Sequence, residues 1–174
     1  MAAIIVGPTN WQPQAAEEYR VQVSSLGDQM IRGGYLICRT GGSVAWIVAP
    51  ASSEVGRTWY CINDAVTTAT NCTSVTGWFV PTCGQLQNPG YCCRTYWDSC
   101  SSTFYWSSTQ NGSGYGWTVR FTDGLTSGNF KVNTNCVRAF RCVIYWTLYF
   151  VTCILCLIFS NDYQNSNISR WTSW

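Results

Sequence analysis

Residues 116–122 of this chain, Gly-Trp-Thr-Val-Arg-Phe-Thr, alternate strictly: Trp117, Val119 and Phe121 are apolar, and Thr118, Arg120 and Thr122 are polar. A period of two places successive side chains on opposite sides of an extended backbone, so the run reads as a strand with one face toward a core and the other toward water. Two more short apolar runs flank it across polar, Gly-rich turns: Phe-Tyr-Trp-Ser-Ser-Thr at 104–109 and Val-Arg-Ala-Phe-Arg at 137–141. The pair Asp123-Gly124 after the central run is a hairpin signal, because Gly accepts positive φ at no steric cost. A small antiparallel sheet is therefore predicted in the second half, with Trp106, Trp117, Val119, Phe121, Val137 and Phe140 as core.

Four motifs in fixed order carry a resemblance: Gly-Trp-Phe-Val-Pro-Thr at 77–82, Tyr-Trp-Ser-Ser-Thr at 105–109, Trp-x-Val-x-Phe-x-x-Gly at 117–124 and Cys-Val-Arg-Ala-Phe-Arg at 136–141. Together they resemble the C-type-lectin-like proteins of the DUF1566 group, found in bacteria and in tailed phages, marine ones especially. The likeness runs from Gly34 to Cys142. It implies an α+β domain of C-type-lectin-like fold over residues 35–142, with two short helices and a small antiparallel sheet. An N-terminal arm (1–34) for attachment or oligomerisation and an apolar C-terminal extension (143–174) would flank it. That wider fold includes variable receptor-binding proteins of diversity-generating retroelements. It also hosts lectins, adhesins, phage tropism proteins and formylglycine-generating enzymes, so the function has to come from a site.

Composition removes several of those options. Charged residues make up 10% of the 174 and aromatics 16%, with 10 Trp, which fits one packed, β-rich domain and not a disordered chain. The net charge of +2 is carried by scattered Lys and Arg, so no basic stripe supports nucleic-acid binding. There is no His, which excludes His-dependent triads and the usual His-containing metal sites. The 11 Cys include no paired CxxC zinc motif, and Cys153-Ile-Leu-Cys156 sits in an apolar run as buried thiols would. Glu17, Glu18, Glu54, Asp28, Asp64, Asp98, Asp123 and Asp162 form no acid–base motif, and no Glu-Pro-Asn cluster offers a calcium-dependent sugar site. No enzyme activity, cofactor or metal is expected. Residues 1–6, Met-Ala-Ala-Ile-Ile-Val, resemble no secretory leader, so cytosolic assembly with mostly reduced thiols is expected.

In chain order, residues 1–34 are Pro-punctuated, with either a brief helix at 14–20 or a strand at 19–23. Tyr-Leu-Ile-Cys at 35–38 and Val-Ala-Trp-Ile-Val-Ala at 44–49 are joined through Gly41-Gly42 and predict a first hairpin. Val55, Trp59, Ile62 and Val66, spaced by three and four, predict an amphipathic helix over 52–69. Pro81 should end a short strand, leaving Thr82 to cap a second helix through Gln85. The aromatic stretch at 95–99 should pack a loop onto the sheet.

Between Thr109 and Val137 the chain is dense in Asn, Ser, Gly, Thr and Tyr. Small adaptable polar groups with a few aromatics suit a recognition surface, where aromatics bring contact area at low entropy cost. The resemblance implies that the ligand-binding face falls here, and its expected contacts are Tyr115, Thr118, Arg120, Thr122, Asn129, Lys131 and Asn133, as the polar face of the alternation. Residues 143–160 are apolar apart from Thr147, Thr152 and Ser160, long enough for a membrane helix yet rich in strand formers. A membrane span and a buried or intersubunit element both remain open. The resulting expectation is a non-enzymatic virion-surface protein of a tailed phage, a head decoration or fibre-tip module. Its partners would be other virion structural proteins, a host-cell glycan or protein receptor, and further copies of itself. The alternative is a cellular membrane-anchored or secreted adhesin of the same fold.

Overall fold

The computed structural model describes residues 18, 20–41, 43–97 and 103–145. The predicted first hairpin forms from β1 (Tyr35–Thr40) and β2 (Val44–Val48), with Tyr35 opposite Val48 and Thr40 opposite Val44. The other strands are β3 (Val55–Arg57), β4 (Phe104–Gln110), β5 (Tyr115–Arg120), β6 (Thr126–Phe130), β7 (Asn135–Val137) and β8 (Phe140–Ile144). They build two sheets, a three-stranded one in the order β1-β2-β8 and a five-stranded one in the order β3-β7-β4-β5-β6. All pairings are antiparallel except β4 with β7. Helix is sparse: α1 (Asp64–Thr73), the single turn α2 (Cys83–Gln85), and a short helical stretch at 20–23. The architecture is α+β.

Both sheets are covered on both sides. Ile37, Val48 and Phe140 of the small sheet meet Tyr105, Val119 and Phe121 of the large one, with Leu86 and Trp97 filling the gap. The Trp97 ring lies edge-on to Tyr105, Phe121 and Phe140 at 5.3–5.8 Å, so the expected packing of the 95–99 stretch is realised through this residue. On the far side of the small sheet, Leu36, Ala45 and Ile47 pack with Val21, Met30, Trp78 and Ala69 of α1. Val21 and Met30 come from the segment ahead of β1, which is thereby built into the core. On the far side of the large sheet, Trp106 and Val137 pack with Ile62, Val80 and Ala65 of α1.

Three local expectations are corrected. The helix predicted over 52–69 starts only at Asp64, after a 3₁₀ turn at Ala51–Ser53, strand β3 and a second 3₁₀ turn at Trp59–Cys61. Val55, Trp59, Ile62 and Val66 still gather in one cluster around Trp106, but Val55 reaches it by pairing with Val137. The strand predicted over 137–141 is two strands in different sheets, with Arg138 and Ala139 crossing between them. The expected strand before Pro81 is reduced to an isolated bridge between Phe79 and Phe140. The capping box forms as expected: Thr82 Oγ1 accepts from Gln85 N–H (3.3 Å) and Gln85 Oε1 accepts from Thr82 N–H (2.9 Å).

Arg138 is buried at the crossing between the sheets. Its Nε donates to the carbonyl of Ala49 at 2.7 Å, its guanidinium lies 3.6 Å from Glu54 Oε2, and it stacks 5.0 Å from the Trp97 ring centre. The Tyr105 hydroxyl donates to the same Glu54 oxygen at 2.7 Å. Among the described residues no helix is long and apolar enough to cross a membrane, and nearly all of the 143–160 run lies outside them.

Candidate functional site

β6 is an edge strand, so the Asn- and Gly-rich sequence it carries lies at the rim of the five-stranded sheet. Val119 pairs with Thr126 and Tyr115 with Phe130, while Asp123-Gly124 turns the chain with Gly124 at φ 78°. Asp123 organises that turn. Its Oδ1 accepts from Arg120 Nε at 3.0 Å and from Leu125 N–H at 3.1 Å. The Arg120 guanidinium, then the Leu125 amide, hold the Asp123 carboxyl down at about 2. Thr122 is exposed beside it.

At the open end of the hairpin, the Tyr115 ring tilts onto Phe130, with centroids 4.5 Å apart and planes 34° apart. Tyr115 is 40% and Phe130 54% exposed, an aromatic pair left on the surface, and Val132 beyond it is 70% exposed. Register places Asn129 opposite Gly116, on the other face of the sheet from this pair. Asn129 Oδ1 accepts from Asn133 Nδ2 at 2.7 Å. On that second face Trp59 lies against Gly116, where a Cβ would overlap its indole, and its Nε1 donates to Ser107 O at 3.0 Å. Tyr60, 66% exposed, meets Trp59 edge-on.

The seven residues expected to share one polar face are thus divided. Tyr115, Asn129 and Asn133 gather at the open end, on opposite faces of the hairpin, while Arg120 and Thr122 stand at the turn. Five residue steps separate Tyr115 from Arg120, roughly 17 Å along a strand. Two residues are not on the surface. Thr118 is fully buried against Trp106, its opposite number in β4, and its Oγ1 donates to Ser127 O at 2.9 Å. Lys131 is 4% exposed, its Nζ donating to Ser113 O at 3.0 Å and resting 4.4 Å from the Trp59 ring centre. Both corrections have one cause: the face expected to meet water is covered by Trp59, Ile62 and Val80. Trp117, expected in the core, is only half-buried, because the buried cluster on its side of the sheet takes in Val119 and Phe121 but does not extend to it.

Half-buried Trp59 and exposed Tyr60 and Phe130 are not among the residues the sequence pattern selects for this surface. The three-and-four spacing around Trp59 reads as a helix, and Phe130 stands among polar neighbours. Among the described residues no cluster of His, Cys, Asp or Glu could hold a metal ion. The arrangement offers rigid aromatic surface and amide groups. The chain matches no protein-family model, and comparison with curated proteins finds no match.

Proposed function

We propose that this chain is a non-enzymatic surface module of a tailed-phage virion, a head decoration or fibre tip of C-type-lectin-like fold, that contacts a host receptor or glycan through the open end of its β5–β6 hairpin. The observation that carries the reading is the exposed Tyr115–Phe130 pair, stacked on a strand whose sheet is buried on both faces. Rigid, amphipathic rings give contact area with little ordering cost. The Asn129–Asn133 amides at the same end add hydrogen-bonding capacity, and repetition on a particle would turn a modest single-site affinity into avidity. The four-motif resemblance supports the class of protein, and the α+β layout is compatible with it.

The adhesin alternative keeps the same face and is favoured by the apolar run at 143–160. The test replaces Tyr115 and Phe130 together by Ser. Both are exposed, so folding and incorporation into particles should be retained while attachment of particles to host cells falls at least tenfold. Unchanged attachment by properly assembled particles would remove this face as the receptor contact. Copurification of the chain with host membranes and not with particles would favour the adhesin.

A further inference from the structure

Among the eight described cysteines one pair stands apart. Cys38 is on β1 just past a register irregularity between Leu36 and Cys38, and Cys93 opens the 3₁₀ turn Arg94–Tyr96. Both pack against the central core beside Ile37 and Trp97, and the Cys38 thiol is among the neighbours that push Cys93 up. β1 runs directly along the segments that flank Cys93: Leu86–Tyr91 on one side and Arg94–Tyr96 on the other. Tyr35, Thr95 and Tyr96 line one shared surface recess there. Each thiol is half-buried, so a small reagent can reach it.

We propose that Cys38 and Cys93 are a disulfide-forming pair, which a low-molecular-weight disulfide oxidises to a bond fastening β1 to the 86–97 segment once the protein leaves a reducing cytosol. The chemistry is thiol–disulfide exchange. Cys38 loses its proton to solvent and its sulfur attacks one sulfur of the reagent RSSR, forming a mixed disulfide and expelling RS⁻. Cys93 is then deprotonated and attacks the Cys38 sulfur of the mixed disulfide, expelling the second RS⁻. Two protein thiols and RSSR become one protein disulfide and two RSH, and the protein gives up two electrons and two protons. The order follows from the environment of Cys93: burial first, then the neighbouring Cys38 and Cys92 thiols, pushes it up to about 12. It is therefore the resolving thiol.

Cys92 is the nearest competitor, being exposed and next in the chain. A bond between Cys92 and Cys93 is disfavoured, because adjacent Cα atoms are about 3.8 Å apart, shorter than the usual disulfide span. The bond proposed here would close a long loop and so constrain the unfolded chain strongly.

The experiment treats the reduced, folded full chain with oxidised glutathione, blocks remaining thiols by alkylation, and maps peptides without reduction. The expected result is a Cys38–Cys93 cross-linked peptide lacking two hydrogens, with a rise in Tm on the order of 10 °C over the reduced protein. Cys92→Ser should keep both the cross-link and the rise, while Cys38→Ser and Cys93→Ser should each lose them. The proposal is overturned if both thiols carry glutathione without bonding to each other, if both remain free, or if either pairs with another cysteine. The peptide map on the unaltered chain decides this even where a variant fails to fold.

Discussion

Replacing Arg138 by Met should destabilise the domain by about 3 kcal/mol, although Arg138 lies in no candidate site. The substitution keeps most of the buried stem and removes the guanidinium. Lost with it is the bond to the Ala49 carbonyl at 2.7 Å, a charge-assisted bond of roughly 1.5–3 kcal/mol. Lost too is the stack on Trp97, about 1 kcal/mol, and the 3.6 Å approach to Glu54. Glu54 is then a mostly buried carboxylate whose named remaining partner is the neutral Tyr105 hydroxyl. Against these losses stands relief from burying a guanidinium, which is why the net falls at the low end of the roughly 3–5 kcal/mol typical of breaking a buried pair. Urea unfolding followed by Trp fluorescence measures the change, and Tm should fall by about 10 °C. Glu54→Gln provides the control. In the double variant, where no buried carboxylate is left without its cation, the two costs should fall short of additive by at least about 1 kcal/mol. A stability within about 0.5 kcal/mol of the parent, or strict additivity, would refute the reasoning.

Gly116→Val drives a branched side chain into the Trp59 indole and should cost about 2 kcal/mol, with Trp emission shifting to the red as Trp59 lifts off the strand; an unshifted spectrum and unchanged stability would contradict the packing. The Asp123 carboxyl, held at about 2 by Arg120 and the Leu125 amide, lies below its ordinary unfolded value near 4. A depressed folded pKa gives a contribution present above pH 4 and lost as pH falls toward 2, so Asp123→Asn should flatten stability across that window. An unchanged acid limb, measured by urea midpoints from pH 4 to 2, would show that the turn does not need the ion pair.

What was legible in the sequence was local. The hairpin of the apolar runs at 35–38 and 44–49, the turn at Asp123-Gly124 between β5 and β6, and the cap from Thr82 three residues before Gln85 are each encoded within a few residues, and each forms. What was not legible depends on distant partners. The alternation at 117–122 assigns side chains to two faces correctly, but it cannot show that a second layer from residues 59–80 covers the face bearing Thr118. Lys131 is buried for the same reason, since Trp59 lies 72 positions away in the chain. The run at 137–141 reads as one strand because nothing in five residues reveals that Arg138 meets Glu54 and Ala49. The candidate site was legible as a region, and its division between the two ends of a hairpin was not.

The order β1-β2-β8 has a mechanical consequence. β1 and β8 are each antiparallel to the strand between them, so they run parallel to each other, and Tyr35 and Ile144 lie at opposite ends of the small sheet. Tension applied between these two residues runs along the strands and shears both ladders, so their hydrogen bonds share the load and do not open one after another. A domain threaded this way resists being pulled apart along its own chain.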